Sequence, residues 1–332
     1  MCRTFLLIAV LLSSTTQFSY AESQDTPSIA QGFSDPPVSA RPRAYWPWLN
    51  GIVSLPQLTR DLEEMKDKGM GGAEIWDCGA HYDPTGFIPK TAPPFLEADS
   101  VKAIHHALDK AGELGLEMGI VSSSGWNAGG AWVRPEDASK NLYTASLVLD
   151  GPARVEQKLP FPEVPKHCPK GDDGLPVYRR EVIVVAFPEN AEKEIASREA
   201  IKDLTSRVKD GVLTWDVPKG SWRVLRFVST NNGQHLIAPS PNSNGLFIDF
   251  LDPEATRMHF QYFLDKLGLT PETARKSSLA YFAADSMELE PGIQWTDKFP
   301  EIFQASQGYA LLPWLPALAG WTIQDTEVTE QI

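Results

Sequence analysis

The chain has 332 residues, a formal net charge of −13 and a pI near 5.0, a length that suits about two domains with a substantial core. Acidity of this size disfavours nucleic acid and anionic membrane as partners and suits a neutral or cationic ligand. No internal repeat is visible, which excludes a solenoid.

In residues 1–21 a single positive charge, Arg3, precedes the apolar run FLLIAVLL and then small and polar residues ending at Ala21. That succession predicts a secretory signal peptide over 1–21 and a secreted or periplasmic protein. Eight apolar residues cannot cross a hydrocarbon core that needs about 20, and no later stretch is apolar for long enough, so no membrane partner is expected. After Ala21 only Cys78 and Cys168 remain. Their spacing fits no metal motif, and a chain this long does not depend on one disulfide. Residues 22–43 are rich in Ser, Pro and Gln without periodicity, and read as a linker.

From Ala44 the pattern changes. A short aromatic strand from Tyr45 to Leu49 is stopped by Asn50-Gly51, and Ser54 then opens a helix through Leu55, Leu58, Leu62 and Met65 that ends at Gly69. Residues 73–78 (AEIWDC) predict a buried strand. Asp99-Ser100 starts a second helix through Val101, Ile104, Leu108 and Leu114, ended by Gly115, and residues 116–121 (LEMGIV) predict a third strand. Alternation of this kind implies parallel strands joined by right-handed crossovers.

After Trp126 the period changes to two. Residues 181–187 (EVIVVAF), 211–217 (GVLTWDV) and 220–227 (GSWRVLRF), punctuated by Pro/Gly turns, predict an antiparallel β-module over 142–230 inserted between barrel segments 44–141 and 231–332. The helical pattern resumes with Asp252-Pro253-Glu254, which starts a helix to about Leu267. Residues 279–285 (LAYFAAD) predict a fourth buried strand, and 297–307 another helix. Both a doubly wound sheet and a barrel fit this alternation. No phosphate-binding glycine fingerprint follows the first strand, which weakens a nucleotide-binding reading. The expected fold is α/β, a partial (β/α)8 TIM-type barrel with an inserted antiparallel β-module. A full barrel takes about 250 residues, so roughly half of one is expected.

Function in such folds sits at the C-terminal ends of the strands. Those ends supply Asn50, Asp77, the 122–127 segment with Trp126 and Asn127, and the 285–288 segment with Asp285 and Glu288; His81 follows the second strand. Carboxylates, indoles and amides together suit a neutral polyol. No Gly-x-Ser-x-Gly elbow and no His-Glu-x-x-His motif is present. Asp77 and Asp285 can alternatively cap turns, and Trp126 can be core. Glu288, in a loop between an apolar strand and Pro291-Gly292, is the candidate catalytic group, on the expectation that a dry pocket raises its pKa.

Trp46-Pro47-Trp48-Leu49-Asn50-Gly51, Asp61-Leu62 and Gly69-Met70-Gly71-Gly72-Ala73-Glu74 resemble the opening of glycoside hydrolase family 106, the α-L-rhamnosidases. Residues 125–138 (GWNAGGAWVRPEDA) resemble its glycine-tryptophan loop, and Asp203-Leu204-Thr205, Leu213-Thr214-Trp215 and Gly220-Ser221-Trp222-Arg223 its β-module. Asp285-Ser286-Met287-Glu288, Gln294-Trp295-Thr296 and Gly308-Tyr309 resemble its fourth-strand motif, with Met287 where the family more usually has an aromatic residue. The resemblance implies an inverting α-L-rhamnosidase that releases terminal rhamnose from plant polysaccharides or glycosides, a catalytic barrel with accessory β-domains, and calcium at the sugar site. Inversion uses two carboxylates about 6.5–9.5 Å apart. Glu288 is expected to be one of them, with Asn50, Asp77, His81, Trp126, Asn127 and Asp285 binding the rhamnose-containing carbohydrate. The metal ligands are not assigned. The second carboxylate is expected beyond Ile332, in a chain that is C-terminally truncated and weak or dead alone. The alternative is a non-catalytic carbohydrate-binding fragment or pseudoenzyme, and a third reading is a related barrel hydrolase with another sugar specificity.

Overall fold

The computed structural model describes residues 29–80, 86, 89 and 92–330. In chain order the main elements are β1 (Arg43–Leu49), α1 (Leu55–Asp67), β2 (Gly72–Cys78), α2 (Ala98–Leu114), β3 (Glu117–Val121), β4 (Lys140–Lys158), β5 (Arg179–Pro188), β6 (Val212–Asn231), α3 (Pro253–Lys266), α4 (Pro271–Lys276), β7 (Leu279–Ala283), β8 (Ile293–Trp295) and α5 (Phe299–Gln307). Residues 1–21, expected to be a signal peptide, lie outside the described residues. The described part of 22–43 is more ordered than a linker: it holds a helical turn at Ile29–Ser34 and a 3-10 turn at Val38–Ala40. Elements this short carry too few residues to show a period. No helix among the described residues is long and apolar enough to cross a membrane.

Strands β1, β2, β3 and β7 form a four-stranded parallel sheet in that order. A doubly wound sheet reverses its order at a switch point; this one follows the chain and curls into a half-barrel. The helices cover its convex face. In α1, Leu58 and Leu62 are buried, and in α2 Ala103, Ile104, Ala107, Leu108 and Ala111 are, spacings that place one stripe against the sheet. They meet Trp46, Trp48, Ile75, Met118, Ile120 and, from α3, Phe263. Helix α2 ends at Gly115, whose φ of 66° is the left-handed conformation that glycine adopts without strain. Ser54 sits at the start of α1 in an extended conformation, but its side chain makes no capping bond. Asp252 does cap α3, accepting from the Glu254 amide at 3.0 Å. On the concave face, Glu74, Gly119 and Tyr281 stand side by side. A Cβ at residue 119 would lie 2.4 Å from the Tyr281 ring, so only glycine admits that phenol.

The antiparallel sheet runs β8-β4-β6-β5, with a two-residue strand at Lys202–Asp203 beyond β5. Its period-two alternation separates two apolar faces. Val184, Ala186, Trp215, Trp222 and Val224 share one, and Ile183, Val185, Phe187, Leu225 and Phe227 the other. The second face is covered by residues from beyond β7: Trp295, Leu311, Leu315 and Trp321 are buried on it, with Phe299 and Phe303 of α5 alongside. The segment expected to carry the barrel repeat onward therefore packs here, because its apolar residues complete this core.

Among the described residues a buried ion pair ties the antiparallel sheet to the segment that leads into α3. Lys140 at the start of β4 meets Asp249 at 2.9 Å, each side chain 2% exposed. Thr296, just past β8, donates to the same Asp249 oxygen at 2.8 Å, and Asp249 Oδ1 accepts from the Leu251 amide at 3.1 Å. His259 of α3 closes a second junction. Its Nε2 lies 2.7 Å from the Ser122 carbonyl, and Trp132 Nε1 points at its Nδ1 at 3.3 Å. That pairing needs the neutral ring, with Nε2 donating and Nδ1 accepting. Burial pushes its pKa down to about 4.

Two outcomes follow for stability. Asp249→Ala should cost about 3–5 kcal/mol by stranding a buried ammonium, whereas Lys140→Met with Asp249→Leu should fall well short of that loss; urea denaturation distinguishes them. Between pH about 6.5 and about 4 the unfolded chain binds the His259 proton and the folded chain does not. Folding should therefore weaken by about 3 kcal/mol across that window as pH falls, and a His259→Leu variant should show a flatter pH dependence there.

Candidate active site

The sheet's C-terminal ends converge through a segment that sequence patterning does not single out, residues 233–240. Its Ala238 carbonyl accepts from Gly79 at the end of β2 (2.7 Å), and its Ile237 carbonyl from Trp126 after β3 (3.1 Å). A Cβ at residue 79 or 125 would approach the Pro239 or Ile237 carbonyl oxygen to 2.2 Å. Glycine at both positions lets this segment lie directly on the strand ends. The loop after β7 is tied in as well, since the Asp285 amide donates to Trp126 O at 3.2 Å.

Asp77 is the buried centre of this mouth, 2% exposed. It accepts hydrogen bonds from the Ser124 and Ser240 hydroxyls, which also lie 2.8 Å from each other. Burial raises its pKa above the ordinary carboxylate range, and the two hydroxyls oppose that. Asp77 is thus spent on holding three segments together. Asn50 is likewise buried and structural: it turns the chain at φ 54°, a conformation that Asn tolerates, and its Oδ1 accepts from the Ala80 amide at 2.9 Å. Asn127 is fully buried, with Oδ1 accepting from Ile237 N at 3.0 Å. Its Nδ2 has no partner among the described residues and is a donor left for water or a ligand hydroxyl.

Trp126 is half-buried rather than core. Its ring lies 6.5 Å from Trp76, which in turn lies 5.2 Å from Tyr45. These rings make an aromatic line along the concave side, the kind of flat face on which sugar rings stack. Trp48, by contrast, is core. His81 lies outside the described residues.

Glu288 is exposed, which corrects the expectation of a dry pocket around it. The loop projects its side chain into a cleft of about 480 Å³ lined also by His167, Gln234, His235 and Glu290. The carboxyls that burial does raise are Asp77 and Glu74. Glu74, half-buried on the concave face, is raised first by desolvation, is opposed by a hydrogen bond from Tyr281, and is raised again by the nearby Asp285 charge. Gln234, His167, Glu290 and Ser240 escaped the sequence reading. The one signal for them is the polar run Asn231-Asn232-Gly233-Gln234-His235 directly after a long strand. Among the described residues no group of three or more His, Cys, Asp or Glu side chains is placed to hold a metal ion. Cys78 and Cys168 are both free and buried.

The chain matches the alpha-L-rhamnosidase model of glycoside hydrolase family 106 over residues 34–168 and 172–332. It is 27% identical over 350 residues to a Formosa agariphila protein that carries the provisional name beta-glucuronidase, an alignment covering 98% of this chain and 29% of that one. The solved structure of a rhamnosidase from Novosphingobium sp. PP1Y superposes with a TM-score of 0.72 at 22% identity, over 90% of this chain and 43% of that chain; at such identity the likeness is one of fold. The chain thus spans less than half the length of either relative.

Replacing Asp77 tests its structural assignment. Asp77→Ala removes the acceptor that the two buried hydroxyls share and should cost about 1–3 kcal/mol, with Asp77→Asn costing less. Because ionised Asp77 is disfavoured in the folded chain, its contribution to stability declines as pH rises from 3.8 through the raised folded value. The stability of Asp77→Asn relative to the parent should therefore improve with rising pH in thermal melts.

Proposed function

Because the chain belongs to glycoside hydrolase family 106, the alpha-L-rhamnosidases, we propose that it serves an inverting glycosidase that releases terminal α-L-rhamnose from plant polysaccharides or glycosides. On this reading the half-barrel is the first part of a (β/α)8 catalytic barrel, and residues 1–21 direct secretion. The observation that carries the sugar assignment is the chemistry of the mouth at the strand ends. The half-buried Trp126 ring offers a stacking face, Asn127 Nδ2, unpartnered among the described residues, a donor, and the exposed Asp285 carboxylate an acceptor. Such a set suits a neutral deoxy sugar. The name of the Formosa relative suggests a glucuronide instead, but a uronate calls for a cation, and the concave-face arginine, Arg43, is engaged with Glu117.

In the proposed mechanism the sugar stacks on Trp126, and Asn127 and Asp285 meet its hydroxyls. Glu288 is one of the two carboxylates that inversion requires, the pair standing about 6.5–9.5 Å apart. Its exposure at the cleft suits activation of a water molecule. An acid that protonates the leaving oxygen needs a raised pKa, and among the described residues Glu74 has both that shift and a place on the concave face. Asp77 has the shift, but it is 2% exposed and its Oδ1 is held by Ser124 and Ser240.

The test is hydrolysis of an aryl α-L-rhamnoside and an aryl β-D-glucuronide by the chain extended through a complete barrel, the 332-residue chain alone being expected to be weak or inactive, with the first-formed anomer followed by NMR. Rhamnoside cleavage with inversion is expected, and Glu288→Gln should lower kcat by about 10²–10⁴. Glucuronide cleavage without rhamnoside cleavage would overturn the sugar assignment. Wild-type kcat in Glu288→Gln would remove Glu288 from the mechanism and move attention to Glu74.

A further inference from the structure

The cleft that holds Glu288 is built from two directions. One wall is the loop after β7, carrying Glu288 and Glu290. The other comes from the antiparallel sheet, which delivers His167 from the β4–β5 connection and residues 233–237 from beyond β6.

Both walls are held in register. Gly233 packs directly under the His167-Cys168 backbone: a Cβ there would lie 2.7 Å from Cys168 N and Cα and 2.8 Å from His167 Cδ2. Cys168 Sγ donates to the Asn231 carbonyl at 2.9 Å. On the opposite side Gln234, 7% exposed, works as a two-pronged bracket. Its amide donates to the Glu288 carbonyl, and its Oε1 accepts from the Glu290 amide at 3.2 Å. Beyond it Asn141 Nδ2 donates to the Pro291 carbonyl at 3.1 Å. The two walls meet where His167 Nε2 stands 3.5 Å from Glu290 Oε1, with the side chains 50% and 30% exposed. The pair is therefore fixed at its base and open at its tip. Fixed backbones under half-exposed polar tips are what ligand recognition needs; a pair that served stability alone would gain nothing from that exposure.

We propose that His167 and Glu290 form the subsite for the leaving-group sugar, the residue to which the rhamnosyl unit is attached, and that this sugar is recognised as a neutral ring with a vicinal diol. A carboxylate accepts from two adjacent hydroxyls at once, and the imidazole beside it donates or accepts. Glu288 lies two residues from Glu290 in the same loop, so the scissile oxygen sits between the aromatic line at Trp126 and this pair. Ile237 links the two halves, since it lines the cleft and its carbonyl takes the Trp126 amide. Specificity for the attached sugar thus belongs to the antiparallel sheet, while the rhamnosyl ring belongs to the half-barrel. This assignment rests on the proposed rhamnosidase reading.

The experiment uses the 332-residue chain with carbon-13 labelled histidine rings, titrated with methyl α-L-rhamnoside and with an α-L-rhamnosyl disaccharide, His167 being assigned by the signal lost in His167→Asn. The His167 signal should move with the disaccharide and stay put with the methyl glycoside. Glu290→Gln should weaken disaccharide binding at least threefold and leave the methyl glycoside affinity within error. If both glycosides bind and the His167 signal ignores the disaccharide, the subsite is wrong and the rhamnosidase reading stands. If neither glycoside perturbs any histidine signal or shows heat of binding, both are overturned.

Discussion

The Lys140–Asp249 ion pair is the constraint on which the arrangement of this molecule depends. A parallel sheet and an antiparallel sheet have different twists and separate apolar cores, and nothing in either core obliges them to meet at a defined angle. A buried charge pair does, because an ion out of water tolerates little displacement from its partner. Asp249 precedes the cap of α3, Lys140 begins β4, and Thr296 follows β8. Three segments distant in sequence are thereby pinned at one point. The Tyr178 ring, 5.1 Å from the ammonium, closes the remaining side. Replacing the charges by apolar groups keeps the volume and gives up the direction.

The 233–240 segment runs across the ends of β2 and β3. It is attached through backbone bonds at Gly79 and Trp126, through the close approach that Gly125 permits, and through side-chain bonds from Asn127 and the Ser124–Asp77–Ser240 cluster. The glycines pay for this closeness in chain entropy. In return a loop segment acquires the rigidity of a sheet margin. Gln234 passes that rigidity on to the Glu288 loop, which has few other anchors. An exposed carboxylate such as that of Glu288 can still be well placed when its main chain is held at both ends.

How far this was legible from the residues depends on the range of the interaction. The parallel strands and their helices show in local periodicity: Leu58 with Leu62, and Ile104 with Leu108, report a buried stripe whatever lies opposite. The strand-end positions follow from the same pattern, and so Asn50, Asp77, Trp126, Asn127 and Asp285 do stand together at the mouth. Their division of labour was not legible. Asp77 and Asn50 differ from Asp285 only in what reaches them from Ser240 and Ala80, and such contacts leave no trace in spacing. The packing of Trp295, Leu311 and Trp321 on the antiparallel sheet was hidden for a related reason. A helix–strand alternation looks the same whether it extends one sheet or covers another.

The concave face of the four parallel strands carries a layer of polar groups near their N-terminal ends. Barrels usually fill their interior with layers of bulky branched residues. Here the corresponding positions carry Arg43 paired with Glu117, Arg43 stacked 5.4 Å from the Tyr281 ring, and Glu74 beside the same phenol. Gly119 makes room for that phenol by removing the one side chain that would have filled the layer. Polar groups that satisfy one another carry little penalty in solvent and become strong only when water is excluded. The grip of this layer on Glu74 would therefore deepen wherever water is displaced from the concave face, and the tuning of that carboxylate depends on Arg43, Tyr281 and the nearby Asp285 charge together.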